Sequence, residues 1–383
     1  METDETYMQQ VLELAKKAGG ATRPNPLVGA VIVKHNEVIG QGYHEKYGGN
    51  HAEVNAIQSA EEAIEGGTLY VNLEPCSHYG KTPPCAAFII EKKIARVVIG
   101  MEDPNPLVAG NGIAQLRAAG IEVVVGVLEE KARQLNEVFI KYIQNKIPFL
   151  LYKTAMTLDG KTSTVGGESK WISSAKAREE VGKLRGEYGG IMVGIGTVIA
   201  DDPYLTCRYP GGKNPVRIIV DSHLRIPLNA KVLDQQQART ILATLSPSQQ
   251  DEKETKEKRK QLIQKGITII DTPEYEKEVD LNYLIQKLGE LEIDSILLEG
   301  GPTLAFSCFQ RKLVDKIVVF IAPKIFGGKG GKSAVEGKGI KEIKDAFQLD
   351  RMEMKKVGED ICVEAYVKKD SDEKGEDCVY RNC

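Results

Sequence analysis

Apolar and polar positions along this 383-residue chain change period repeatedly, and the changes mark out its elements. Residues 7–18 place Met8, Val11, Leu12, Leu14, Ala15 and Ala18 at helical spacing, and Gly19-Gly20 ends the run. A short unbroken apolar stretch at 28–33 predicts a buried strand, and Asn36-Glu37 turns it into a second strand over 38–43. Such a hairpin delivers Asn25 and His44 to neighbouring edges. A helix over 51–63, a strand over 68–73 and a helix from 85 to about 93 follow, the last with prolines before its first turn. A strand over 96–100, a helix over 112–119, a strand over 122–125 and a helix from 129 to about 145 complete an α/β succession.

Lys146-Ile147-Pro148 interrupts the pattern, and a second α/β succession begins. It predicts strands over 149–155, 190–194, 216–220 and 295–298, a helix over 175–185, and another after Pro302. Two late strands, 316–321 and 361–367, suggest an antiparallel edge. The chain is too long for one ordinary core. The expected division is therefore a domain at 1–146, a second at 147–367 and a polar, disordered tail at 368–383 carrying Cys378 and Cys383. Residues 251–260 are charged at nine of ten positions, most simply a solvated helix.

Composition narrows the class. With 42% hydrophobic and 27% charged residues and a net charge of -3, nothing supports broad nucleic-acid or membrane binding. No apolar run is long enough to span a bilayer. The start, Met1-Glu2-Thr3-Asp4-Glu5, lacks the basic-then-apolar pattern of a secretion signal, and seven scattered cysteines make no disulfide scaffold. The cytoplasm is the expected compartment and a homo-oligomer the expected assembly.

The stretch from His51 to Cys85 carries the chemistry. His51, Cys76 and Cys85 can supply one imidazole and two thiolates to zinc, leaving a fourth position for water. Glu53 lies two residues from the histidine, placed at a helix start to move protons for that water. Histidine-x-glutamate followed by proline-cysteine and a second cysteine is the signature of zinc base deaminases. Here the cysteines are nine apart rather than three. A zinc in this cage would bring its water's pKa to about 7. The competing readings are a structural zinc, for which His78 is a candidate fourth ligand, or two unrelated buried cysteines.

Together with Arg23-Pro24-Asn25-Pro26-Leu27-Val28-Gly29 and the Gly80-Lys81-Thr82-Pro83-Pro84 insert, these residues resemble the bifunctional riboflavin-biosynthesis deaminase/reductase family over residues 1 to about 367. The resemblance implies a cytidine-deaminase-like α/β/α domain followed by a dihydrofolate-reductase-like α/β domain. It implies that 2,5-diamino-6-ribosylamino-4(3H)-pyrimidinone 5′-phosphate loses its ring C2 amino group as ammonia. The ribosyl group is then reduced with NADPH to ribityl, giving a 5-amino-6-ribitylamino-uracil phosphate. By the same resemblance Asn25 holds the pyrimidine, while His44, His78 and Lys81 meet the phosphate; Lys81 read on its own is equally an exposed loop lysine.

In the second half no G-x-G-x-x-G follows a strand, so a Rossmann domain is unsupported. Gly194-Ile195-Gly196-Thr197 and Glu299-Gly300-Gly301-Pro302-Thr303-Leu304 are glycine clusters at strand ends, where backbone N–H groups suit a pyrophosphate or simply make a tight turn. The family resemblance assigns Ala155, Trp171, Thr197, Asp201, Ser222 and the run Gly301, Pro302, Thr303, Leu304, Ala305, Phe306 and Ser307 to NADPH. It assigns Ser169, Arg185, Leu205, Arg208 and Glu299 to the substrate, with Lys153 nearby to attract its phosphate. Trp171 could equally fill the core, and a 2′-phosphate pocket would lie near Ser222 and Arg225. Two other readings remain: a nucleoside or tRNA deaminase with an appended domain, and a pyrimidine-phosphate sensor that kept the fold.

Overall fold

The structure, a computed structural model, describes residues 3–77, 84–105, 108–247 and 253–369. The chain divides into two compact units between Lys146 and Ile147. In the first, β1 (Gly29–Lys34), β2 (Glu37–Tyr43), β3 (Thr68–Leu73), β4 (Arg96–Met101) and β5 (Glu122–Val125) form a sheet of order β2-β1-β3-β4-β5. The β1 strand runs antiparallel to both neighbours, and the β3-β4-β5 set is parallel. Helices α1 (Asp4–Lys16), α2 (Ala52–Gln58), α3 (Cys85–Glu91), α4 (Asn111–Ala118), α5 (Glu129–Leu135) and α6 (Glu137–Asn145) complete the unit.

The unbroken apolar run at β1 has a direct cause: both faces of the sheet are covered. Ala30 and Ile32 face a cluster with Ala52, Ala56, Ala86, Ile89 and Leu116, whereas Val31 and Val33 pack on Tyr7, Met8, Val11 and Leu14 of α1. Three layers, helix on sheet on helix, follow from that alternation.

Two predicted helices differ. The one expected over 51–63 stops at Gln58, because the Ser59 hydroxyl bonds both backbone groups of Gln41 at 2.8 Å and ties the chain to β2. The one expected from 129 to about 145 is two, α5 and α6. Between them Asn136 leaves helical geometry, and its amide accepts from Leu27 N at 2.8 Å and donates to Leu27 O at 3.0 Å.

The second unit adds α7 (Ala175–Glu187), α8 (Ile195–Asp201), α9 (Lys253–Gln264), α10 (Leu281–Glu290) and α11 (Pro302–Gln310). Its strands are β6 (Phe149–Thr157), β7 (Gly190–Gly194), β8 (Val216–Val220), β9 (Thr240–Leu245), β10 (Thr268–Thr272), the short hairpin β11 (Glu274–Tyr275) and β12 (Glu278–Val279), β13 (Ser295–Glu299), β14 (Lys316–Ala322), β15 (Leu349–Val357) and β16 (Asp360–Val367). The main sheet runs β10-β9-β8-β7-β13-β6-β14-β16-β15, parallel through β14, then antiparallel. The expected antiparallel edge is present, but β15, absent from the sequence pattern, is the outermost strand. Most of its residues are solvent-facing, so no apolar alternation marks it. Strands β9 and β10 and helix α10 likewise lie outside the predicted set. The charged run is helical from Lys253, as expected, with Leu262 buried beneath it. No helix among the described residues is long and apolar enough to cross a membrane.

Candidate active sites

In the first unit, His51 is the N-cap of α2 and Cys85 the first residue of α3, while Cys76 follows the end of β3. The ligating atoms of all three lie within 4.8 Å of one another. His51 Nδ1 stands 3.2 Å from Cys85 Sγ and 3.5 Å from Cys76 Sγ, and Cys85 N donates to Cys76 Sγ at 3.3 Å. Tetrahedral zinc with its usual N and S bond lengths needs ligand-to-ligand edges of roughly 3.5–3.8 Å, so the cage fits that ion. Among the described residues no fourth histidine or cysteine joins the cluster, and His78, the candidate fourth ligand, lies outside them.

Electrostatics match that purpose. Hydrogen bonds from Cys85 and then His51 lower the Cys76 thiol, while Cys85, the buried donor to it, is pushed up. Glu53 is 3% exposed, and burial, reinforced by the Cys76 thiolate, raises its carboxyl to about 6. A carboxyl near 6 both accepts and returns a proton at neutral pH.

The expected pairing of Asn25 and His44 is present, with Asn25 Nδ2 3.3 Å from His44 Nε2. His44 is buried, and its Nδ1 stands 2.8 Å from the Asn50 carbonyl. That carbonyl can only accept, so the proton sits on Nδ1 and Nε2 accepts from Asn25. Burial also lowers its pKa. In this geometry His44 orients Asn25. His78 and Lys81 lie outside the described residues.

A support that the sequence did not reveal is Glu74. Its buried carboxylate accepts from Asp103 N, Gly110 N, Gly112 N and Ile113 N at 2.8–3.1 Å, folding that loop beside Pro75-Cys76. The approach is so close that a Cβ at Gly112 would sit 2.0 Å from the Pro75 carbonyl.

In the second unit a cleft of about 1200 Å³ opens at the carboxyl ends of β6, β13, β7 and β8. That is where open parallel sheets bind ligands, and it exceeds the roughly 300–1,000 Å³ of a single small-ligand pocket. Ala155, Trp171, Thr197, Asp201, Ser222, Gly301, Pro302, Thr303, Leu304 and Ser307 line it, as do Lys153, Ser169, Arg185, Leu205, Arg208 and Glu299. Ala305 and Phe306 do not. The helical period of α11 turns Ala305 into the core and Phe306 onto Phe347 and Gly337. Gly300 and Gly301 hold φ of 75° and 76°, a left-handed turn that sends the chain into α11. A Cβ at Gly300 would meet Thr197 Oγ1 at 3.2 Å, so the two glycine clusters approach each other closely at this point.

Arg185 grips Glu299 with both nitrogens, Nε to Oε1 at 2.9 Å and Nη2 to Oε2 at 2.7 Å. Its fork is thus spent on a carboxylate rather than held ready for phosphate. Burial alone would raise Glu299, but Arg185, Lys153 and Arg208 outweigh it and hold the carboxyl at about 2. Trp171 is 66% exposed rather than in the core, with the Arg178 guanidinium 4.3 Å from its ring centroid. Arg225 and Glu278 also line the cleft; the second comes from the β11–β12 hairpin, which no local pattern announces.

Sequence and structure comparisons agree with both sites. Residues 1–101 match the cytidine and deoxycytidylate deaminase zinc-binding region, and residues 148–363 match the RibD C-terminal domain. Riboflavin biosynthesis protein RibD of Actinobacillus pleuropneumoniae is 48% identical over 95% of this chain and 96% of that protein, and the Aquifex aeolicus protein of the same name is 47% identical over 94% and 98%. The solved structure of Acinetobacter baumannii RibD superposes with a TM-score of 0.84 at 34% identity, covering 96% of this chain and 99% of that one. A Thermotoga maritima diaminohydroxyphosphoribosylaminopyrimidine deaminase/5-amino-6-(5-phosphoribosylamino)uracil reductase does so with 0.81 at 38% identity, covering 95% and 99%. With a zinc-deaminase cage in one unit, a strand-end cleft in the other and relatives matched along nearly its whole length, the chain belongs to the RibD family of bifunctional deaminase/reductase enzymes of riboflavin biosynthesis.

Proposed function

We propose that residues 1–146 deaminate 2,5-diamino-6-ribosylamino-4(3H)-pyrimidinone 5′-phosphate and that residues 147–367 reduce the product with NADPH to 5-amino-6-(5-phospho-ribitylamino)uracil. The observation that carries this reading is the His51, Cys76 and Cys85 cluster beside Glu53, a carboxyl that burial raises to about 6. One zinc ion held by those three residues supplies the Lewis acidity that makes a water reactive at neutral pH. Glu53 takes a proton from that water, delivers it to the ring nitrogen, and passes a proton to the departing amine; C2 exchanges its amino group for a carbonyl and ammonia leaves. Asn25, aimed by His44, fixes the pyrimidine edge.

In the reductase cleft NADPH supplies the hydride. The chain's own residues align donor and acceptor: the left-handed glycine turn at Gly300 and Gly301 before α11 receives phosphates, Trp171 covers one end, and the ionised Glu299 with Arg185 and Lys153 makes a fixed polar wall for the ribosyl group. Arg208 is left as the guanidinium for the substrate phosphate. A cytoplasmic homo-oligomer is the expected form.

A two-step assay tests the assignment. The full chain should release one ammonia per diaminopyrimidine phosphate and then oxidise one NADPH per deaminated product. Ammonia release from cytidine or tRNA in preference to that phosphate would overturn it in favour of a nucleoside or tRNA deaminase.

A further inference from the structure

Beyond the glycine clusters, the cleft continues to Ser222 and Arg225. Ser222 follows β8, two strands away from Gly300 at the end of β13, or about 10 Å at the usual strand spacing. A dinucleotide with its nicotinamide near Trp171 and its phosphates at Gly300 and Gly301 would reach this point with its adenosine ribose. The groups waiting there are mixed in sign. Ser222 is 5% exposed and its hydroxyl is fully committed, donating to Glu278 Oε2 while accepting from Val279 N at 3.2 Å. Arg225, more than half exposed, stands 3.7 Å from Asp221, a fully buried carboxylate whose Oδ1 has no hydrogen-bond partner. Asp221 Oδ2 is taken by Ile226 N at 2.8 Å. Two further cations line the cleft, Lys231, paired with Asp202 at 3.3 Å, and Arg311, 3.5 Å from Asp280 and over the Tyr275 ring.

A carboxylate beside the adenosine ribose accepts from a free 2′-hydroxyl, whereas an arginine there receives a 2′-phosphate. This chain carries both, and it ties the serine between them to the carboxylate. We propose that Glu278 is the residue that limits selectivity for a 2′-phosphorylated cofactor: it favours a free 2′-hydroxyl, opposes the phosphate that Arg225 attracts, and so leaves the reductase able to use NADH beside NADPH. The inference rests on the dinucleotide reading of the cleft given above.

Calorimetric binding of adenosine 2′,5′-bisphosphate and adenosine 5′-monophosphate to the full chain isolates the 2′-phosphate without requiring turnover. In Glu278→Gln the preference for the bisphosphate should rise about tenfold at low salt, and Arg225→Ala should lower it by about the same factor, both effects shrinking as salt screens the charges. On deaminated substrate, Glu278→Gln should raise the ratio of kcat/KM for NADPH over NADH by about the same factor, through the NADPH KM and not kcat. A binding preference that stays within twofold of wild type in Glu278→Gln, with both nucleotides still bound, overturns the role of Glu278 alone. Failure of both nucleotides to bind the wild-type chain overturns the dinucleotide reading, and this inference with it.

Discussion

Two carboxylates show how position decides chemistry at the scale of a residue. Glu53 is buried and Glu299 nearly so, yet their acidities part: Glu53 is raised to about 6 and Glu299 is held at about 2. The difference lies in the neighbours, a thiolate for the first and three cations for the second. Glu53 is placed to carry protons, and Glu53→Ala should abolish ammonia release while elemental analysis still finds about one zinc per chain, since His51, Cys76 and Cys85 remain. Glu299 stays ionised and buttresses Arg185 and Lys153. Because its folded pKa is depressed, its stabilisation is complete above the ordinary 4.5 and is lost as pH falls from there toward 2, so thermal melts should show the second unit losing stability over that window. Glu299→Gln leaves two buried cations short of their anion and should cost roughly 3–5 kcal/mol of that unit's stability in denaturant titration.

Elements bring these residues into place through contacts that run between them. The loop bearing Asn25 is pinned at Leu27, whose carbonyl accepts from Asn72 and whose amide and carbonyl both meet Asn136. Asn136→Ala removes two buried hydrogen bonds and leaves Leu27 N unsatisfied. It should cost about 2–3 kcal/mol in chemical unfolding and raise the deaminase KM more than it lowers kcat, because Asn25 loses its anchor. Glu74 does the same for the loop beside Cys76. Glu74→Ala strands four backbone N–H groups and should lower deaminase activity and the melting temperature of the first unit, with NADPH oxidation on deaminated substrate unchanged.

At the scale of the whole molecule, two units with separate cores should fail separately: Glu53→Ala should keep full reductase activity on deaminated substrate, and parallel loss of both activities would contradict the division at Lys146. The outer strand β15 bears Met352 and Met354, exposed at 62% and 70%, on a sheet edge, the kind of surface a second chain can extend. If the expected homo-oligomer forms there, Met352→Glu with Met354→Glu should reduce the mass measured by light scattering.

By itself the sequence marked much of the alternation of strands and helices, the break before Ile147 and the cluster of His51, Cys76 and Cys85 with Glu53 beside it. Each is local: short apolar runs, a Pro-containing boundary, and side chains at element ends that a motif names directly. It did not determine where α2 ends or why α5 and α6 separate, since the side chains of Ser59 and Asn136 bond backbone outside their own helices. Nor did it distinguish Ser307, which lines the cleft, from Ala305 and Phe306 beside it, because only the rotation of a packed helix decides that. Nor did it show that His44 contacts Asn50 and Asn25, or that Glu299 fills the fork of Arg185. Charge and hydrogen-bond capacity are finite, and only the tertiary structure shows which partner has already taken them.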